Sequence, residues 1–171
     1  MAEPASELSR LLSLGAIPAA GREERVRASP AECAALAERY MIPGVEALDA
    51  ALVLVPARDG AIRATGRLAA RVVQVCVVTL DPIVQLVDAP IDLRFCPPDT
   101  PLSDDPEGPD EIEITGSVID IGEAVAEQLS LALDPYPRTP GVTLPAMDDE
   151  PPEAEEKPHP FAALSGRKRP S

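Results

Sequence analysis

The stretch AIRATGRLAARVVQVCVVTLDPIVQLVDAPIDLRFC, residues 61–96, decides the fold. Its second half alternates: Val87, Ala89, Ile91, Leu93 and Phe95 share one side, and Asp88, Asp92 and Arg94 share the other. That two-residue period is the signature of a half-buried strand over Ile83–Cys96. Pro90 cannot donate to a ladder on both sides, so its presence marks an edge strand. The first half, Ala61–Thr79, reads as a long strand with Ile62, Ala64, Leu68, Ala70 and Val72 facing one way. Arg63, Arg67 and Arg71 face the other. Asp81-Pro82 turns the chain between the two strands.

Outward from this pair, Val45–Val55 reads as a further strand, joined to residue 61 through the tight-turn signal Arg58-Asp59-Gly60. Before it, Ser29-Pro30-Ala31-Glu32 is a capping box with proline at the first helical position, where its missing amide costs little. Cys33, Leu36, Ala37, Tyr40 and Met41 then recur at helical spacing until Pro43-Gly44. Arg22–Ala28 alternates weakly and is expected as a first strand, preceded by an N-terminal arm over residues 1–21. On the other side, Pro97–Asp110 is a loop rich in proline and aspartate, and Glu111–Thr115 alternates as a short strand. Asp120 sits three residues before Glu123, a second capping box. It starts a helix whose apolar stripe is Ile121, Val125, Leu129, Ala132 and Leu133, and Pro135 and Pro137 stop it. After that the composition turns to Pro and Glu, which cannot bury enough apolar surface to repay ordering. Residues 142–171 read as a disordered acidic tail. The expectation is one α+β domain over residues 22–141: a twisted antiparallel β-sheet meander with two main helices on one face.

Composition narrows function. Of the residues, 45% are hydrophobic but only 2% aromatic, with no Trp, so the core is aliphatic and no base-stacking platform is expected. The net charge is −14. Residues 1–100 hold 10 Lys and Arg against 13 Asp and Glu, and residues 101–171 hold 5 against 16. Such a chain is repelled by nucleic acid unless a local basic surface overcomes the field. No apolar run approaches the ~20 residues that cross a bilayer, and Met1–Leu14 lacks a basic leader followed by an apolar block. Cysteines at 33, 76 and 96 make neither a disulfide framework nor a paired metal knuckle, which points to a reducing, cytoplasmic setting.

Three blocks carry a family resemblance. Cys76-Val-Val-Thr-Leu-Asp-Pro82, the helix end Leu131-Ala-Leu-Asp-Pro-Tyr-Pro-Arg138, and Phe161-Ala162-Ala163-Leu164 stand in that order. Together they resemble the YceD family of large ribosomal RNA subunit accumulation proteins, in its proteobacterial branch. The resemblance implies a non-enzymatic cytoplasmic factor that supports 23S rRNA accumulation and large-subunit assembly. Many relatives carry Cys-x-x-Cys at the turn, which implies a metal knuckle; here Thr79 holds the second cysteine's place. A structural zinc site wants about four N or S donors. One thiol and His159 in the tail do not supply them, so neither metal nor cofactor is expected, and Cys76 reads as a small buried residue.

Arg63, Arg67 and Arg71 are the candidate RNA-binding residues. Four apart on a strand, they share a face at ~13 Å intervals, and a cationic ridge of this kind grips phosphates with salt-dependent affinity. The competing reading is a solvated face whose arginines pair with Asp49, Asp88 and Asp92. In the tail, Asp148, Asp149, Glu150, Glu153, Glu155 and Glu156 form an acidic run suited to a basic ribosomal protein, and Arg167-Lys168-Arg169 is a small cationic end. Catalysis finds little support: there is no phosphate loop, and the lone His159 excludes an ordinary His-dependent triad. Two functional readings follow. One is association with 23S rRNA, its precursor or the pre-50S particle; the other is an adaptor whose acidic loop and tail hold a basic protein.

Overall fold

The computed structural model describes residues 6–98, 100–101, 105 and 108–142. Ten elements follow in order: β1 (Leu11–Ser13), a single 3-10 turn (Leu14–Ala16), β2 (Arg22–Arg27), α1 (Pro30–Tyr40), β3 (Gly44–Pro56), β4 (Ile62–Val75), β5 (Pro82–Cys96), β6 (Asp110–Glu113), β7 (Val118–Asp120) and α2 (Ile121–Ala132). The class is α+β. A five-stranded sheet runs β2-β3-β4-β5-β6, and β1 pairs with β7 in a separate two-stranded sheet.

The first four strands of the large sheet are an antiparallel meander, as the alternating sequence requires. The last pair departs from the expected all-antiparallel sheet. The chain crosses from Cys96 to Asp110 and returns parallel to β5, with Leu93 opposite Asp110 and Cys96 opposite Glu113. Of the acidic tail expected over residues 142–171, residues 143–171 lie outside the described residues.

The sheet has one packed face and one open face. Even-numbered residues of β4 (Ile62, Ala64, Leu68, Ala70, Val72) join Leu48, Leu52 and Leu54 of β3 and Ile91, Leu93 and Phe95 of β5's odd-numbered side in a single core. Leu36 and Ala37 of α1 and Ile121, Val125 and Leu129 of α2 close that core. Leu8, Leu12 and Ile17 of the N-terminal segment belong to it as well, with Leu8 wholly buried.

Both helices start where the sequence places them. Ser29 accepts from the Glu32 amide and Glu32 reaches back to the Ser29 amide, completing the capping box of α1. At α2 the box is half formed. Asp120 accepts from the Gly122 and Glu123 amides, but the Glu123 carboxylate is drawn instead to Arg39 of α1 and to Ser6. Arg39 brings a full positive charge and two N–H donors to this carboxylate, where the capping position offers one neutral amide.

Candidate functional site

The open face presents the odd-numbered residues of β4 and the even-numbered residues of β5, and Arg63, Arg67 and Arg71 do line up along it. Each is held by a carboxylate. Arg63 makes a two-pronged contact with Asp92 through Nη2 at 2.8 Å and Nε at 3.0 Å. Arg67 meets Asp88 Oδ1 through Nη2 at 2.7 Å and Nε at 3.0 Å. Both are diagonal cross-strand pairs: Asp92 stands opposite Thr65 and Asp88 opposite Ala69. Arg71 pairs with Glu46.

Glu46 was not foreseen as a partner. The β3–β4 register slips between Val45 and Ala47, so Glu46 is an extra residue turned to the open face beside Arg71. Asp49, the third expected partner, is taken by Arg25 and Arg27 of β2 at 2.9 and 2.8 Å. Those guanidinium groups, Arg25 first, hold the Asp49 carboxyl below its usual range. Arg94 is shared between Asp59 and Glu111. Among the described residues, Arg58 and Arg138 are the arginines without an ion pair. The row therefore keeps its position and its exposure, 56%, 65% and 50% for the three side chains, but carries no net positive charge.

Apolar groups share this open side. Val53, Val75 and Val84 are 40–49% exposed, and Leu86 is 78% exposed. Val75, Val84 and Leu86 lie toward the β4–β5 turn, where Val77 and Leu80 add 44% and 75%, while Val53 and Val55 lie toward the other end of β4.

That turn holds Cys76. Its sulfur is fully buried and accepts the Thr79 amide at 3.5 Å and the Thr139 amide at 3.3 Å. Hydrogen bonding from Thr79, hydroxyl first and then amide, and from the Thr139 amide pulls the thiol down to about 6. The chain after α2 is strapped across the turn, with the Val77 amide donating to the Pro137 carbonyl. Cys33 is buried on α1, and burial pushes its thiol up. Among the described residues no group of three or more His, Cys, Asp or Glu could hold a metal ion.

A cleft of about 500 Å³ lies between β6, β7 and α2, lined by Phe95, Ile114 and Ile119 together with Glu123 and Glu127. Glu123 is committed to Arg39, so the two carboxylates do not form a free acid–base pair. The acidic run 148–156 and the cationic end 167–169 lie outside the described residues.

Fold and surface together define a small α+β protein whose open sheet face is built from ion pairs and exposed aliphatics. The family described as "Large ribosomal RNA subunit accumulation protein YceD" matches residues 64–166, from β4 to beyond the described residues. The chain belongs to the YceD family. No curated protein and no solved structure matches it.

Proposed function

We propose that this protein supports large-subunit rRNA accumulation, without catalysis and in the cytoplasm, by holding a basic protein of the pre-50S particle. Its acidic groups would be the principal contact. The family description supplies the link to large-subunit rRNA. The observation that favours a protein partner is the neutralisation of the arginine row: Arg63, Arg67 and Arg71 each face a carboxylate within the same sheet. A phosphate backbone approaching that row meets Asp92, Asp88 and Glu46 as well. Basic ribosomal segments instead meet a chain of net charge −14 whose densest acidic run is Asp148, Asp149, Glu150, Glu153, Glu155 and Glu156.

A second reading, direct contact with 23S rRNA or its precursor through Arg63, Arg67 and Arg71, is favoured by one observation. The three guanidinium groups remain at least half exposed, and exposed ion pairs are worth only ~0.2–1 kcal/mol each. They are accessible to a competing anion.

One experiment separates the two. Tagged full-length chain is recovered from cells with its associated particles, with and without ribonuclease, beside a triple Arg63→Gln, Arg67→Gln, Arg71→Gln variant and a chain ending at Val142. The adaptor reading expects capture of ribosomal protein that survives ribonuclease, persists in the triple variant and is lost on truncation. Loss in the triple variant with retention on truncation transfers the function to the arginine row.

A further inference from the structure

Among the described residues, β5 has an edge that is unpaired over most of its length. On one side it pairs with β4 along its whole length; on the other, β6 covers only Leu93–Cys96. Among the described residues nothing pairs with β5 from Pro82 to Asp92 on that side. Natural sheets blunt such edges with charge, and β2, at the opposite edge, does so with REERVR. The segment Pro82–Val87 carries no charge at all.

The hydrogen-bond phase of this edge can be read from the ladder. The Cys76 amide donates to the Asp81 carbonyl, so that pair is a bonded one, and Val75–Pro82 is the non-bonded pair that follows. Alternation then points the backbone groups of Val84, Leu86, Asp88 and Pro90 outward. The far end agrees: the Cys96 carbonyl, in the same phase, accepts from Ile114 beyond β6. Pro82 and Pro90 lack amides. The outward donors between them are Val84, Leu86 and Asp88, a set symmetric about Leu86 with a proline four residues to either side.

We infer that this edge joins two copies of the chain, β5 against β5 in antiparallel register with Leu86 on the two-fold axis. Leu86 then faces Leu86 of the second copy. Val84 exchanges both hydrogen bonds with Asp88 of the second copy, and the prolines meet at the ends, where neither has an amide to leave unpaired. Leu86, the most exposed large apolar strand residue among the described residues, is buried against itself. The half-buried Ile83 and Val87 on the other side gain cover. The two Asp88 carboxylates, each already tied to Arg67, stand ~13 Å apart along the strand. A register two residues nearer β6 brings them within ~7 Å, and a longer slide collides with β6 where it begins beside Leu93. Two subunits of charge −14 repel each other in bulk, so association tightens as salt screens that repulsion.

The test uses the full chain. Sedimentation equilibrium should show a concentration-dependent dimer that is strengthened by raising ionic strength. Leu86→Pro removes an outward amide without touching the β4 ladder, as Pro82 and Pro90 already do. It should weaken dimerisation at least tenfold while leaving thermal unfolding of the monomer cooperative. Register is read by crosslinking: in a bonded pair the Cα atoms are ~5.5 Å apart, within disulfide range. Leu86→Cys should therefore oxidise readily to a covalent dimer, whereas Val84→Cys, ~13 Å from its own symmetry mate, should not. A chain that stays monomeric into the hundred-micromolar range, or Val84→Cys crosslinking as fast as Leu86→Cys, overturns the inference; the first result would leave the edge to a foreign strand.

Discussion

Replacing Gly66 by alanine should be the most damaging single-methyl change in the sheet. Gly66 lies on β4 between Arg63 and Arg67, opposite Leu52 of β3. A Cβ built there would sit 1.9 Å from the Ala51 carbonyl oxygen and 2.9 Å from its carbon, whereas real Cβ contacts essentially never fall below 3.0 Å. The obstacle is backbone, not the end of a pliable side chain. Relief requires the two central strands to part by more than 1 Å, which lengthens several ladder hydrogen bonds together. Overpacking of this kind costs ~1–3 kcal/mol and sometimes more; with backbone as the obstacle, about 3 kcal/mol is expected. At ~2–4 °C per kcal/mol for a domain of this size, Tm should fall by roughly 6–12 °C. Urea unfolding should show a lower midpoint with unchanged slope. Gly116→Ala is the contrast: its φ of +74° strains any side chain, yet nothing lies within 4 Å, so only the ~1–2 kcal/mol of a left-handed residue is at stake. A Gly66→Ala variant no less stable than Gly116→Ala would refute the close-approach argument.

Asp120→Ala should cost about 2 kcal/mol, because one carboxylate oxygen accepts from the Gly122 and Glu123 amides of α2 and from the Arg10 amide at 2.7 Å; Asp120→Asn should recover most of it in the same urea titration. Cys76 sets a pH window. Its folded-state thiol, drawn down to about 6, lies below the ordinary ~8.5. The stabilisation is therefore complete above pH 8.5 and is lost as pH falls through 6, so Tm of the native chain should rise across that range while Cys76→Ala stays flat. Tyr40 donates its hydroxyl to the Ala126 carbonyl at 2.7 Å, and burial pushes the phenol up to about 12. In a Tyr136→Phe chain, absorbance titration should place phenolate formation near pH 12, and Tyr40→Phe should lose about 1 kcal/mol.

What the sequence shows and what it hides divide along the range of the interactions. Strands β3, β4 and β5 were legible because alternation is local and their polar side chains fall on one face. Ser29-Pro30-Ala31-Glu32 announced α1 for the same reason, since every group in that box lies within three residues. Glu123 reads locally as a second capping partner, yet its guanidinium comes from Arg39, 84 positions away. The bulge that delivers Glu46 to Arg71 leaves no trace in a pattern where Val45, Glu46 and Ala47 already look like ordinary alternation. β1 and β7 are three residues each and pair across more than a hundred positions, too short for periodicity to register. The parallel return of β6 depends on where residues 97–109 carry the chain, and composition does not specify that. At the candidate surface, spacing by four placed the arginines on one face but said nothing of what stands beside them.

That omission decides the electrostatics. When a phosphate takes Arg67 from Asp88, one exposed pair worth ~0.2–1 kcal/mol is exchanged for another. The released carboxylate then sits close to the phosphate. At ~5 Å in water that repulsion is ~0.8 kcal/mol, as large as the pair itself, so each arginine of the row contributes almost nothing net. The same cancellation applies to an approaching lysine, which meets the guanidinium groups as well as the carboxylates. The row is therefore close to neutral toward either partner, and the charges outside it set the preference. Among the described residues Glu23, Glu38, Asp81, Glu113 and Glu127 have no arginine partner, against Arg58 and Arg138 on the positive side. With residues 148–156 adding further acids, the excess of charge has one sign, and under the proposed adaptor reading it is this excess, not the arginine row, that draws a cationic segment.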